Sequence, residues 1–459
     1  MAVERFELTS ELPVPPGEAW AWHARPGAFE RLTPPWETAR VLERSGSLGD
    51  GRVVLQVSTG PVSHRWVAQH RDAIPERQFV DEQVEGPFAR WVHTHLFEPA
   101  AGGHTRYTDR VEYQLPGGAA GSFFGAGMVR ERLQRTFRYR HATVAADLLM
   151  HRRLAAAPMT VAITGATGLL GGVLSSVLTT GGHTVRRITR RPTRPDDIRW
   201  DPAQGQLDAA MLAGVDAVVH LAGETIAGGR WTAEKRRRIL ESRTQGTTLL
   251  AETLAQLPVR PRVLVSASAV GIYGPRGEEV LTEATSLRTG PEASFVEQVG
   301  HAWEASVEPA ERAGIRVVRA RIGIVETPAG GALAKMLPPF LAGGGGVLGP
   351  GTQWTSWIGI DDVVGALCHA LVSPAVRGPV NLTAPAPVTN AELTRVLARV
   401  LGRPAVIPVP AAALRLLLGD LADELLLAST RVVPVRLKET GYEFRHPELE
   451  GALRHVLGR

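Results

Sequence analysis

Three glycines, Gly165, Gly168 and Gly171, stand at a spacing able to bind phosphate. They follow an apolar run, 160-TVAIT-164, and open a helix-like segment ending near Leu178. Gly165 permits a tight turn, Gly168 lets backbone approach a pyrophosphate, and Gly171 lets the helix pack closely on the strand. The helix entrance offers free amides and the positive end of its dipole. Strand, turn and helix in this order point to a dinucleotide. The next strand-like run, 183-HTVRRITRRP-192, selects among dinucleotides. NAD sites place an acidic residue at its end for the ribose diol. This chain has Thr189, Arg190 and Arg191 there. Arginine suits a 2′-phosphate, so NADP is expected before NAD. A third run, 216-DAVVHLAGETI-226, places Leu221, Ala222 and Gly223 under the adenosine and pyrophosphate.

Proton chemistry needs further groups. Ser266 and Ser268 share one face of the strand-like 263-VLVSASA-269. Tyr273 is the nearest phenol, and Glu224 follows the third run. Each has a plainer reading: the serines bonding locally, Tyr273 packing. Lys335 appears as the one lysine near the site, able to meet an anionic group or to lie on the surface. Asp361 and Asp362 read as a cap for a helix over 363–372.

These residues need a parallel sheet with helices on both faces, an α/β Rossmann fold. The 459-residue chain is long enough for two or three domains. A seam falls at 155-AAAPM-159, so the chain divides into 1–154 and 159–459. The first part reads as α+β. Strand-like stretches at 3–9, 51–59, 62–73, 77–86, 89–99 and 104–115 alternate apolar and polar residues, as in an antiparallel sheet with one solvated face. A helix-like stretch over 17–32 is cut by Pro26. A long helix over 128–154 closes the part, with Met128, Leu133, Phe137, Val144 and Leu148 on one face. A curved sheet gripping such a helix encloses an apolar cavity. Trp20, Trp22, Trp36, Trp66, Trp91, Phe123 and Phe124 would line it or fill a core. His64, His70, His93, His95 and His104 show no carboxylate spacing that marks a metal site, so no metal is expected.

The net charge is +5, yet only three lysines occur. The scattered arginines give no nucleic-acid stripe. The single cysteine, Cys368, excludes an internal disulfide. No signal peptide or membrane span is read; 412-AALRLLLGDLADELLLA-428 is broken by charges and reads as an amphipathic helix. A reducing, cytoplasmic compartment is the expectation.

The phrases "HLAGETIAGGRWTAEKRRRILESRTQGT", "VSASAVGIYG", "GGALAKMLPPF" and "GGGGVLGPGTQWTSWIGIDD" resemble the atypical, extended short-chain dehydrogenase/reductases of the NAD(P)-dependent epimerase-like family. The tail from "GRPAVIPVP" to "GYEF" resembles their C-terminal extension, DUF1731, over about 402–450. Residues 1–154 resemble the SRPBCC (START/polyketide-cyclase-like) helix-grip superfamily, a domain that some bacterial members carry. The resemblance implies an extended Rossmann domain with a small C-terminal lobe. It places cofactor contacts on Gly165, Thr167, Gly168, Leu169, Leu170, Thr189, Arg190, Leu221, Ala222, Arg243 and Val325, with Gly171, Gly223 and Ser266 beside them. Family members use a Tyr-x-x-x-Lys pair for proton transfer. None of the five tyrosines here has a lysine four residues on. Phe295 and Val299 stand at the expected positions. Either Ser268 and Tyr273 supply the proton, or the domain holds NADP without turnover as a sensor or scaffold. The expected activity is NADP-dependent oxidoreductase or epimerase-like. Its substrate is a small, hydrophobic molecule bound by the N-terminal domain.

Overall fold

The computed structural model describes residues 3–59 and 62–459. The side chains of residues 59 and 118–124 lie outside the described set, and with them the candidates Phe123 and Phe124. The chain divides into two compact units that change over at Ala155/Ala156; Thr179–Gly182 and Gly458 group with the first.

The first unit runs β1 (Glu4–Leu12), α1 (Pro16–Ala24), α2 (Ala28–Leu32), β2 (Thr38–Ser45), β3 (Arg52–Thr59), β4 (Val62–Ile74), β5 (Gln78–Glu85), β6 (Arg90–Ala100), β7 (His104–Gln114) and α3 (Gly118–Leu154). Its seven strands form one antiparallel sheet in the order β1-β7-β6-β5-β4-β3-β2. Period-2 alternation gives each strand two faces. The inward face carries Leu12, Phe79, Phe97 and Tyr107, which pack with Trp22, Val144 and Leu148. A second cluster joins Phe6, Val111 and Tyr113 to Leu133 and Phe137.

The expected helix over 128–154 begins ten residues earlier, at Gly118. Leu133, Phe137, Val144 and Leu148 do share its buried face, but Met128 is 76% exposed and does not. Strand β2 has no counterpart in the sequence reading. It is an edge strand with a bulge between Val41 and Glu43, mostly open to solvent, so apolar alternation is weak. The helix-like stretch 17–32 splits into α1 and α2 around Pro26 and Gly27, whose φ is +91°.

The second unit begins β8 (Thr160–Thr164), α4 (Leu169–Thr180), β9 (Thr184–Thr189), β10 (Ile198–Asp201), β11 (Gln206–Leu207), β12 (Ala217–His220), α5 (Ala233–Gln256), β13 (Val263–Ala269) and β14 (Val280–Leu281). It continues α6 (Phe295–Ala305), α7 (Glu308–Arg312), β15 (Arg316–Ile322), β16 (Ile324–Glu326), α8 (Gly331–Leu341), β17 (Trp354–Thr355), β18 (Trp357–Gly359), α9 (Ile360–Val372) and β19 (Gly378–Leu382). The end comprises β20 (Val388–Thr389), α10 (Asn390–Leu401), α11 (Ala411–Leu418), β21 (Arg431–Val432), α12 (Val435–Glu439) and α13 (Leu449–Leu457).

The main sheet has the order β11-β10-β9-β8-β12-β13-β15-β19. All its pairings are parallel except β10–β11. This is the doubly wound arrangement, with its switch point between β8 and β12. Ala162, Val218, Leu264 and Val317 cover one face of the sheet and meet Leu250, Ala251 and Leu254 of α5. Helix ends follow local chemistry. The Thr232 hydroxyl caps α5, and Ser294 with Glu297 forms a capping box on α6. The expected amphipathic helix over 412–428 stops at Leu418, because Gly419 leaves helical geometry with φ +62°. No described helix is long and apolar enough to cross a membrane.

Phe137 is 1% exposed and its ring centroid lies 5.3 Å from that of Phe6. Phe137→Ala is expected to lower stability by about 3–5 kcal/mol. Urea unfolding followed by tryptophan fluorescence checks this, and an unchanged first transition would contradict the packing described.

Candidate functional site

The turn after β8 is built from near contacts that only glycine tolerates. Gly165 has φ +67°, and a Cβ there would lie 3.1 Å from the backbone of Leu221 and Ala222. The Gly168 amide donates to the Gly165 carbonyl at 2.9 Å. A Cβ on Gly171 would lie 2.1 Å from that carbonyl oxygen. The start of α4 therefore presses against its own loop. Thr167 and Gly168 are exposed at the rim, with Leu169 and Leu170 half-buried behind them. The first amides of α4 have no partner within the helix. A concave backbone surface with donors is the shape an anionic group fits.

Thr189 closes β9, and its hydroxyl accepts from the Arg191 amide at 3.2 Å. Arg190 and Arg191 are exposed. Neither guanidinium has an acidic partner among the described residues. The nearby Asp197 is already engaged. Arg187 donates to it from Nε at 2.7 Å, and the Thr193 and Arg194 amides donate at 2.7 and 2.9 Å. Burial would raise its pKa, but these donors outweigh burial and hold it at about 2. Asp197 is thus not free to receive a ribose diol, while two arginines are free to receive a phosphate.

The loop after β12 hangs from buried groups that the sequence reading did not single out. The Thr164 hydroxyl accepts from the Leu221 and Ala222 amides at 3.0 and 3.1 Å. It also lies 2.7 Å from His220 Nδ1, whose Nε2 meets Thr247 Oγ1 at 2.9 Å. Burial lowers the His220 pKa to about 4, so the ring is neutral. Arg243 lies beneath Gly223 and donates to the Glu224 carbonyl at 3.1 Å. Its guanidinium sits 4.9 Å from the Trp303 ring centroid. Lysine near this loop is not limited to Lys335. Lys235 donates to Glu224 Oε1 at 2.6 Å, and Lys335 donates to the Ala227 carbonyl at 2.6 Å. The paired sequence signal, a glutamate and a lysine eleven residues apart across a loop, has no fixed meaning without the fold.

The serines and Tyr273 sit in internal hydrogen bonds. Ser266 is buried, and its hydroxyl donates only to the adjacent Ala267 carbonyl, at 3.4 Å. Ser268 donates to Glu304 Oε1 at 2.8 Å. The same carboxylate receives Arg321 Nε and Nη2, each at 2.8 Å. Arg321 Nη1 donates to the Tyr273 hydroxyl at 2.8 Å, which donates onward to Asn381 Oδ1 at 2.8 Å. Tyr273 is fully buried, and burial raises its pKa. Both hydroxyls donate to side-chain oxygens within the protein. At the start of α6, Phe295 packs on Trp231 with ring centroids 5.3 Å apart, and Val299 joins the same apolar cluster. Neither of these two side chains can carry a proton.

Val325 lies in β16, half-buried. The chain that follows returns over the glycine loop: a Cβ on Gly330 would lie 3.3 Å from the Leu169 side chain. Glu326 is 1% exposed, and its Oε1 has no hydrogen-bond partner among the described residues. Burial pushes its pKa up to about 8. Asp361 and Asp362 do not cap α9. They sit inside its first turn, after Gly359, and bind the C-terminal chain. Asp362 accepts from the Arg445 and His446 amides at 2.7 and 2.9 Å and from the Tyr442 hydroxyl at 3.1 Å.

Comparison with known proteins agrees with this architecture. Residues 161–382 match the NAD dependent epimerase/dehydratase family, and residues 409–456 match the domain of unknown function DUF1731. Residues 12–139 match the polyketide cyclase/dehydrase and lipid transport family. An epimerase family protein of Mycobacterium tuberculosis is 42% identical over 300 residues, 65% of this chain and 98% of that protein. The crystal structure of a nucleoside-diphosphate sugar epimerase from Corynebacterium glutamicum superposes with a TM-score of 0.82 at 33% identity, covering 99% of this chain and 90% of that one. The human epimerase family protein SDR39U1, crystallised with NADPH, superposes with a TM-score of 0.60 at 35% identity, covering 65% of this chain and 99% of that one. The Rossmann fold, the C-terminal extension and the N-terminal helix-grip resemblance read from the sequence are all borne out.

Glu326 gives a pH signature. Its carboxyl is neutral in the folded chain up to about pH 8, against an ordinary value of 4.5. The unfolded chain loses this proton first, so stability falls as pH rises from about 4.5 to about 8 and stays reduced above it. Glu326→Gln is therefore expected to stabilise the protein at pH 9 by on the order of a few kcal/mol relative to its effect at pH 5. Denaturant unfolding of both proteins at the two pH values reads this directly, and an equal difference at both would contradict it.

Proposed function

Because the chain belongs to the epimerase family, we propose that it is an NADP-dependent oxidoreductase or epimerase-like protein. It acts, in a reducing cytoplasmic compartment, on a small hydrophobic molecule that the N-terminal domain binds. The observation that carries the coenzyme reading is the pairing of a glycine cradle with two free arginines and an occupied aspartate. Gly165, Gly168 and Gly171 let the α4 entrance pack on its own loop, and the first amides of that helix receive the pyrophosphate. Arg190, with Arg191 beside it, holds a 2′-phosphate. Asp197 cannot substitute, since Arg187 fills it. Thr167, Leu169 and Leu170 border the phosphates, Thr189 the adenosine ribose, and Leu221 to Gly223 the floor. Arg243 supports that floor from below, and Ser266 and Val325 stand toward the nicotinamide end. The bound coenzyme supplies hydride chemistry. The match of residues 12–139 to a lipid-transport family supports the apolar ligand.

A second reading has its own observation. Phe295 and Val299 replace the proton-transfer pair, and Ser268 and Tyr273 are tied to Glu304, Arg321 and Asn381. A domain that holds NADP as a sensor or scaffold fits these facts. Stoichiometric consumption of NADPH with a carbonyl compound would exclude it.

Replacing both arginines, Arg190→Ala with Arg191→Ala, is expected to weaken NADPH binding ten-fold or more, about 1.4 kcal/mol per tenfold. NADH binding should change less than threefold. Fluorescence titration of the two coenzymes measures this. Equal losses for both, or no NADPH binding by the unaltered protein, would sink the coenzyme reading.

A further inference from the structure

The inner face of the first unit carries a cluster of imidazoles and carboxylates in place of hydrocarbon. Strand register creates it. Asp81 on β5 is directly opposite His93 on β6, and His95 is directly opposite Asp109 on β7. His95 follows His93 by two positions, so both rings point to the same face. Their centroids are 3.9 Å apart. One ligand atom each from Asp81, His93 and His95 lies within 4.8 Å of the others.

The ring orientations are fixed from behind. Asp109 is 1% exposed. Its Oδ1 lies 3.0 Å from His93 Nε2 and 2.7 Å from His95 Nδ1. Its other oxygen lies 3.0 Å from His141 Nε2, and the Tyr107 hydroxyl donates to Oδ1 at 2.9 Å. The remaining nitrogens, His93 Nδ1 and His95 Nε2, therefore converge on Asp81 Oδ2, at 3.7 and 3.2 Å. His70 approaches the opposite oxygen of Asp81, with Nε2 at 2.7 Å, while its Nδ1 lies 3.1 Å from the Ser47 carbonyl.

Every imidazole nitrogen of His93 and His95 thus faces a carboxylate on both sides of its ring. Two carboxylates facing two rings favour positive charge between them. Two adjacent protonated rings would repel each other. One divalent ion between His93 Nδ1, His95 Nε2 and Asp81 supplies the same charge without that repulsion. A carboxylate behind each ring is the arrangement that orients histidine ligands and raises their basicity. The mixed nitrogen and oxygen donors suit zinc, iron(II) or cobalt(II) rather than calcium or magnesium. Asp81 and His70, 24% and 18% exposed, form the accessible side of the cluster and give an ion its way in.

We propose that Asp81, His93 and His95 bind one divalent transition-metal ion inside the N-terminal domain, with Asp109 as the positioning residue behind both rings. Three protein ligands leave at least one coordination position open to water or to an oxygen of a bound small molecule. The site is independent of the coenzyme reading above.

The test uses the full chain, stripped with a chelator and then titrated with cobalt(II). The expected result is visible d–d absorption saturating at one ion per chain, abolished by competing zinc. Zinc should also raise the melting temperature of the unaltered protein. Asp81→Asn, nearly isosteric and partly exposed, should weaken cobalt binding at least ten-fold. Asp109→Asn should weaken it 10–100-fold and alter the cobalt spectrum. His446→Gln, in the second unit, should leave binding unchanged. Circular dichroism of each metal-free variant confirms folding; if Asp81→Asn fails it, His93→Gln takes its place. No cobalt spectrum and no zinc-induced shift in the unaltered protein would overturn the proposal and leave a purely proton-linked ion network. Binding that Asp81→Asn leaves intact would overturn it as well.

Discussion

Much of the second unit depends on how closely α4 lies against its own loop. A single Cβ on Gly171 would stand 2.1 Å from the Gly165 carbonyl oxygen, closer than any van der Waals contact. The absence of that carbon sets the position of the helix entrance. The entrance then sets the position of Gly165 beside Leu221 and Ala222. Thr164 fastens the same two amides from the strand side. Two neighbouring parallel strands, β8 and β12, are thus joined at their carboxyl ends by backbone contact and one hydroxyl. The cleft at the switch point therefore has a floor fastened from both strands rather than a gap between loops. Small residues make that floor, so changes of shape there need changes of backbone.

This part of the molecule was legible because its causes are local. Glycine spacing, an apolar strand and a helix entrance lie within about a dozen residues, and each reports on its neighbours. The arginines that follow β9 were legible for the same reason. Other parts arise from pairing between distant segments. Asp81, His93, His95 and Asp109 carry no motif, because the register between β5, β6 and β7 brings them together. For the serines and tyrosine of 266-SASAVGIYG-274, strand spacing shows which face a residue occupies, not what fills that face. Glu304 and Arg321, which occupy those hydroxyls, belong to α6 and β15. Asp361 and Asp362 looked like a cap because their position in sequence was right. The tail around Arg445 and His446 claims them instead. Strand β2 escaped notice because an exposed edge has little apolar alternation to read.

The two buried polar systems of this chain answer one physical demand in different ways. Burying a charge is costly unless a partner and full hydrogen bonding come with it. In the second unit the demand is met within the protein. Arg321 is 3% exposed and holds both oxygens of Glu304 in a bidentate pair. Its remaining amine goes to Tyr273, whose hydroxyl passes the bond to Asn381. The Asn381 amide donates in turn to the Val433 carbonyl at 3.0 Å. Charges balance one to one, and the chain of bonds ends on backbone. Removing either ion would strand the other.

In the first unit the demand is met less evenly. Asp81 and Asp109 both stay ionised, their pKa values held down against burial by the surrounding histidines. Burial opposes charge on His23, His93 and His95. The two carboxylates nevertheless hold His95 up at about 9, while His93 falls to about 4 and His23 to about 3. His23 Nε2 is left with no hydrogen-bond partner among the described residues. A fold that needed only a filled interior could have used leucine at these positions, as it does at Leu12 and Leu148. Retaining imidazoles and carboxylates there, with one ring nitrogen after another aimed at an oxygen, makes sense when the interior must hold something besides hydrocarbon.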